Sequence, residues 1–178
     1  MTIFNTEKMY SNVSKLLHRV TAIIVLGLLC LGVAFSYIPK DIEKMLMPYH
    51  KSAGVTLLIL MLVRLVWTLI NPSPRLPTRM AFIEKAAAKL VHFLLYFVVI
   101  MMCISGVIMT LAGGHLLPFW GFGDIHLAFI PLDKALSHLV RPWHTYLAWT
   151  IFGLLIIHTL AALKHHFYDH DDVLKRMV

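Results

Sequence analysis

Charged side chains are scarce in this chain. Only 14% of its 178 residues are Asp, Glu, Lys or Arg, whereas 59% are hydrophobic. A typical soluble globular domain has about 25% charged residues, so this composition excludes an ordinary soluble protein. The sequence therefore predicts a protein that lies in a lipid bilayer.

The sequence contains long runs of apolar residues. Because an α-helix rises about 1.5 Å per residue, about 20 apolar residues cross a hydrocarbon core of about 30 Å. We predict spans at residues 18–38, 50–70, 90–112 and 144–163. The first run lacks a small-x-small cleavage site, so we interpret it as a retained helix and not as a signal peptide. The fold class predicted is all-α, a four-transmembrane-helix bundle that forms a single integral-membrane domain over residues 1–178.

The distribution of basic residues predicts the orientation, because Lys and Arg near helix ends are retained on the cytoplasmic side. They concentrate in both tails and in the loop between the second and third spans: Lys8, Lys15, Arg19, Arg75, Arg79, Lys85, Lys89, Lys164, Lys175 and Arg176. We therefore expect both termini in the cytoplasm. The net charge of +7 mostly reflects this bias, so it requires no nucleic-acid partner.

Four histidines at paired depths are the strongest functional signal. His144 and His158 lie fourteen residues apart in the fourth span, a rise of about 21 Å and a rotation about 40° short of four turns, so they face the same side. His50 matches the depth of His144, and His18 matches that of His158. Histidine pairs on facing helices can hold haem iron inside a bundle, and two stacked haems are predicted.

The inner pair has two candidate partners, because His92 opens the third span at a depth similar to that of His18. Depth alone does not choose which of them faces His158. His92 is interpreted either as a proton-transfer residue of a quinone pocket or as a structural histidine. Since the chain has no Cys-x-x-Cys-His motif, any haem is expected to be non-covalent and b-type.

Three cationic residues are candidates for binding anions. Arg64 lies fourteen residues after His50 and near the inner layer, where it either pairs with haem propionates or snorkels to the interface. Lys51 and Arg141 lie close in sequence to His50 and His144, so they are candidates for propionate or anion contacts at the outer layer. The histidines of the C-terminal tail, among them His165, are expected to be solvated.

Several stretches together resemble the bacterial di-haem cytochrome b561 family. They are Tyr10 through His18, His50 through Gly54 with Arg64, Asn71 through Pro74, His92 through Tyr96 with Gly106, Trp143-His144, His158 through His166, and Asp172 through Met177. These stretches cover nearly the whole chain except the outer loops.

The resemblance implies a bacterial inner-membrane protein with two haem b groups, ligated by the pairs His18/His158 and His50/His144. It also implies an oxidoreductase that takes electrons from superoxide on the outer face and passes them to ubiquinone near the inner haem. The alternative that it leaves open is a cytochrome b electron-transfer subunit that serves a hydrogenase or dehydrogenase partner. A haem-free transporter that uses membrane histidines is the third hypothesis.

Overall fold

Four α-helices make up the fold in the computed structural model, which describes residues 3–77 and 80–177. They are α1 (Asn12–Ala34), α2 (Lys40–Ile70), α3 (Phe82–Ala112) and α4 (Lys134–Phe167). Each is long and apolar enough to cross a membrane. The predicted all-α class with four membrane helices is confirmed. Arg79, one of the basic residues of the second loop, lies outside the described residues.

The helix ends differ from the predicted spans. The first helix ends at Ala34 and not at residue 38, and residues 35–37 form turns before Pro39. The other three helices begin about ten residues earlier than their apolar cores and extend through Pro48, His92 and Pro142. Hydropathy marks the part of a helix that lies in lipid, whereas backbone hydrogen bonding continues beyond it.

Local capping explains where two helices begin and one ends. The Ser11 side chain accepts from Ser14 N at the start of α1, and Asp133 accepts from Ala135 N and Leu136 N at the start of α4. These side chains satisfy N–H groups that have no partner within the helix. After α3, Gly114 adopts φ +76°, a left-handed conformation that favours glycine and turns the chain away from the helix.

Consecutive helices pack against one another, and α3 with α4 is the most extensive pair. A cluster of apolar side chains from all four helices forms the core, around Val25, Leu57, Val99, Cys103 and Ile151. Many large apolar side chains point outward instead, such as those of Ile23, Phe97 and Leu160. A contiguous apolar exterior would be a liability in water, but it is the surface that lipid requires.

The loop at residues 113–133 folds back onto one end of α2. Lys51 Nζ donates to the Leu116 carbonyl at 3.0 Å, and Trp120 Nε1 donates to Thr56 Oγ1 at 2.8 Å. Ser52 Oγ lies 2.9 Å from the Pro118 carbonyl and accepts from Trp120 N at 3.1 Å. The loop therefore covers the end of the bundle that lies opposite the termini.

The N-terminal segment closes the other end. Asn5 N donates to Asn71 Oδ1 at 2.9 Å, and the Asn5 Oδ1 accepts from Ser11 N and from Ser14 Oγ, both at 2.8 Å. The Arg176 side chain donates to the Arg75 carbonyl at 2.7 Å, which brings the C-terminal tail to the same end. Asn5 thus ties the start of the chain to the loop between α2 and α3.

Replacing Asn5 with Ala should release this segment. The variant loses several hydrogen bonds of about 1 kcal/mol each, so trypsin should cleave after Lys8 about 5- to 30-fold faster. Thr6→Ala is the matched control, because within the described part of the chain the Thr6 hydroxyl bonds only to Met9 of the same segment. Equal cleavage rates for the two variants would show that Asn5 does not hold the segment.

Candidate functional site

The predicted histidines form two groups at opposite ends of the bundle. His50 and His144 line a cavity of about 870 Å³ near the 113–133 loop, and we name them the loop-side pair. His18, His92 and His158 lie near the termini, and with Arg64 we name them the terminal cluster. Each predicted ligand therefore lies at the same end as its predicted partner.

The loop-side cavity has the size and character of a site for a large apolar ligand. Its volume falls in the range of about 300–1,000 Å³ that is common for ligand pockets. Side chains of α1, α2, α3 and α4 line it, and most of them are apolar. The lining residues Gly32 and Gly54 leave open space where a Cβ would stand. The cavity is therefore large enough for a bulky apolar ligand.

The two imidazoles of the loop-side pair differ in their partners. His144 Nδ1 lies 2.8 Å from Ser105 Oγ. The Nδ1 of His50 is buried without a hydrogen-bond partner within the described residues, although Phe35 packs edge-on against its ring at 5.4 Å between centroids. A buried polar atom without a partner is costly, so packing alone does not explain why a histidine occupies position 50. These residues fit haem ligation.

The terminal cluster brings three imidazoles together. The ring centroids of His18 and His158 are 6.2 Å apart, and those of His92 and His158 are 5.3 Å apart. Both rings face His158 edge-on, at interplanar angles of 69° for His18 and 70° for His92. The terminal cluster therefore places two candidate partners beside His158.

Arg64 points into the bundle and does not reach for the interface. Its Nη2 lies 2.9 Å from His18 Nδ1, and its Nη1 donates to Thr21 Oγ1 at 3.1 Å. The guanidinium also lies over the Tyr96 ring, 5.2 Å from the centroid. Among the described residues, no carboxylate forms an ion pair with it. An inward cation without a counter-ion is expensive in a membrane, so this position suits an anionic ligand group.

A second, smaller cavity lies beside the terminal cluster. It has a volume of about 110 Å³, and polar side chains line much of it, including those of Asn5, Tyr10, Arg64, His92 and Tyr96. The Tyr96 hydroxyl lies 3.0 Å from Thr68 Oγ1. The cavity therefore combines hydrogen-bond donors and acceptors with a histidine.

The two cations expected at the outer layer have different positions. Lys51 lines the large cavity while its ammonium bonds to the Leu116 carbonyl. Arg141 is exposed on α4, one turn before His144, although it precedes the predicted span at residues 144–163. The reason is that α4 begins at Lys134, where Asp133 caps it.

The C-terminal tail is more ordered than the sequence indicated. His165 is buried at 8% exposure, and its Nδ1 lies 2.8 Å from Asp171 Oδ2 and 3.0 Å from Asp169 Oδ2. Lys164 pairs with the same Asp169 and with Glu84 at the start of α3. The expectation of a solvated histidine is therefore wrong for His165, because a polar network joins the end of α4 to α3.

Two residues of the sites were not found from the sequence. Ser105 was not singled out, although a serine beside Gly106 in an otherwise apolar span is a signal that could have found it. Thr21 is 1% exposed and bonds Arg64, but its hydroxyl also bonds the carbonyls of its own helix. A threonine that can satisfy itself locally carries little sequence signal.

Comparison with known proteins identifies relatives along the whole chain. The model of the family described as prokaryotic cytochrome b561 matches residues 9–178. "Cytochrome b561 homolog 2" of Escherichia coli K12 is 33% identical over 181 aligned positions, which cover 100% of this chain and 95% of that protein. "Probable superoxide oxidase CybB" of Yersinia pestis is 25% identical over 80% of each chain. "Cytochrome b561 homolog 1" of E. coli K12 is 26% identical over 72% of each.

Gly106 should be required for the placement of His144. A Cβ at position 106 would lie 3.2 Å from His144 Cε1, so Gly106→Ala must displace the ring at a cost of about 1–3 kcal/mol. We expect haem retention to weaken about 10-fold, measured as haem per polypeptide by a pyridine haemochromogen assay. Gly27→Ala is the control, because a Cβ there meets nothing within 4 Å. Equal haem content in both variants would contradict the prediction.

Proposed function

The chain belongs to the prokaryotic cytochrome b561 family, and on that premise we propose that it carries electrons from superoxide, through two b-type haems, to ubiquinone. Membrane electron transfer with b-type haem is the function of this family. The number of haems, the donor and the acceptor are the proposal. The observation that carries it is the arrangement of histidines in two groups at opposite ends of the bundle, each next to a cavity.

The proposed axial ligands are His50 with His144 at the loop end and His18 with His158 at the end that holds the termini. The edge-on approach of the His18 and His158 rings, 6.2 Å between centroids, supports the second pair. If His18 held iron through Nε2, its Nδ1 would carry the hydrogen and could not accept from Arg64. The Arg64 guanidinium would then be free to bind a haem propionate. Lys51 and Arg141 are proposed to attract anions at the loop end.

Haem supplies one-electron transfer, and the overall reaction balances with two superoxide anions for each quinone. Each superoxide gives up one electron and leaves as dioxygen. One quinone takes up both electrons and two protons to become quinol. Cationic side chains attract an anionic donor to the site. The acceptor needs a path along which protons can reach it.

The quinone head group is proposed to bind at the 110 Å³ cavity. Tyr96, Thr68 and His92 offer hydrogen bonds to its carbonyl oxygens, and Arg64 offers a positive charge where negative charge develops on reduction. His92 lines this cavity together with Arg64 and Tyr96, which favours a role in proton transfer over iron ligation. Asn5 and Tyr10 also line this cavity.

Residues 1–178 are proposed to form one integral-membrane domain in the bacterial inner membrane, with both termini in the cytoplasm. The bias of Lys and Arg towards the end that holds the termini supports this orientation. The loop-side pair then faces the periplasm, where it meets superoxide, and the terminal cluster faces the cytoplasm, which supplies the protons.

The purified chain should bind two haems and be reduced by superoxide generated by xanthine oxidase, with superoxide dismutase abolishing the reduction. His144→Ala should lose one haem and slow this reduction at least about 10-fold. Changing a residue that only supports a metal ligand already lowers metal affinity or activity about 10- to 100-fold, and removing the ligand itself should have a larger effect. His126→Ala, an exposed histidine of the loop, is the control. If superoxide reduces the wild-type haems no faster than background, the donor is wrong, and a partner protein that delivers electrons becomes the better hypothesis.

Replacing His92 with Ala should separate quinone chemistry from haem binding. We expect both haems to remain and quinone reduction to slow about 100-fold, the lower end of what general acid–base catalysis contributes. Stopped-flow reoxidation of the reduced haems by a soluble ubiquinone analogue measures this step, with His126→Ala again unchanged. Loss of a haem from the His92 variant would instead identify His92 as a ligand.

A further inference from the structure

Ser105 occupies a position between α3 and α4 that decides which nitrogen of His144 carries the hydrogen. Its hydroxyl oxygen lies 2.7 Å from the Met102 carbonyl and 2.8 Å from His144 Nδ1. The carbonyl has no hydrogen to give, so at this distance the hydroxyl hydrogen must point towards it. The serine oxygen then has only lone pairs for His144, and Nδ1 must donate.

This tautomer leaves Nε2 of His144 with a free lone pair. In a neutral imidazole one nitrogen carries the hydrogen and the other is an acceptor or a metal ligand. The Met102 carbonyl also interacts with the His144 ring, which agrees with a donating nitrogen because a carbonyl can only accept. The His144 ring lines the 870 Å³ cavity, so its free lone pair is available to a metal held there.

The geometry of α3 fixes the serine itself. Ser105 is 7% exposed, and its bond to the carbonyl three residues earlier holds the hydroxyl in one rotamer. The next residue, Gly106, lets the imidazole approach the helix backbone, since a Cβ there would lie only 3.2 Å from His144 Cε1. The adjacent residues Ser105 and Gly106 thus hold the His144 imidazole in one position against α3.

We infer that Ser105 is a positioning residue, which orients His144 and fixes its tautomer so that Nε2 can ligate haem iron. The inference rests on the proposed function, because it takes His144 to be an axial ligand. Ser105 acts through His144 and touches neither substrate nor iron. An acceptor at Nδ1–H also makes the imidazole more basic, which stabilises ferric over ferrous iron.

The test compares Ser105→Ala with Ser137→Ala in the purified holoprotein. Ser137 is a matched control, because it is also 7% exposed and also donates to a carbonyl of α3, that of Met109, at 2.8 Å. Two readouts are independent of activity. One is the rate at which haem passes to excess apomyoglobin, and the other is a redox titration that resolves the two haems.

In Ser105→Ala, one haem should leave about 10- to 100-fold faster, the effect typical of losing a hydrogen-bond partner of a metal ligand. The midpoint potential of that haem should rise, while the other haem keeps its potential. Ser105→Thr keeps a hydroxyl and should restore both properties towards the wild type. If Ser105 only filled space, Ser105→Cys would restore them equally well.

Two outcomes would overturn the inference and are distinguishable from each other. If the wild type binds two haems but Ser105→Ala behaves like Ser137→Ala in both readouts, Ser105 has no positioning role, and the proposed function stands. If the wild type binds no haem, the proposed function fails, and this inference fails with it.

Discussion

The cost of an unpaired polar group in lipid is the constraint on which the rest of this structure depends. Helices satisfy their own backbone, but a polar side chain inside the bundle needs a partner, either in its own helix or on a neighbouring one. Arg64 of α2 reaches His18 and Thr21 of α1, and Ser105 of α3 reaches His144 of α4. Apolar packing is non-directional, whereas these contacts fix which turn of one helix meets which turn of the next.

The two ends of the bundle meet this constraint in different ways. At the loop end, the 870 Å³ cavity is mostly apolar, and the His50 Nδ1 buried beside it has no partner. At the other end, a 110 Å³ cavity has polar walls and lies under the segment tied down by Asn5. An apolar cavity suits transfer of electrons alone, while a polar one can also conduct protons. This difference is what a donor that releases no proton and an acceptor that takes up two would require.

The sequence predicted the number of helices and the grouping of the histidines, because both follow from the length of apolar runs and the regular rise of a helix. It misplaced the helix ends, which depend on caps such as Asp133 and on Pro39 more than on hydropathy. It left His18 and His92 as alternatives, since depth does not define the angle around a helix. It did not identify Ser105, because a serine within an apolar helix usually bonds only its own backbone.

The choice of electron donor depends on the part of the chain that the resemblance covers least. The loop at residues 113–133 bonds to Lys51, Ser52 and Thr56, directly after His50 in α2. Any donor that approaches the loop-side pair from the aqueous side must pass this loop. Helix contacts can keep the two groups of histidines in place while the loop changes, so related chains can share the same bundle and still differ in donor. A relative named for superoxide, 25% identical to this chain, therefore says more about the bundle than about the donor, and the loop is where donor specificity must be sought.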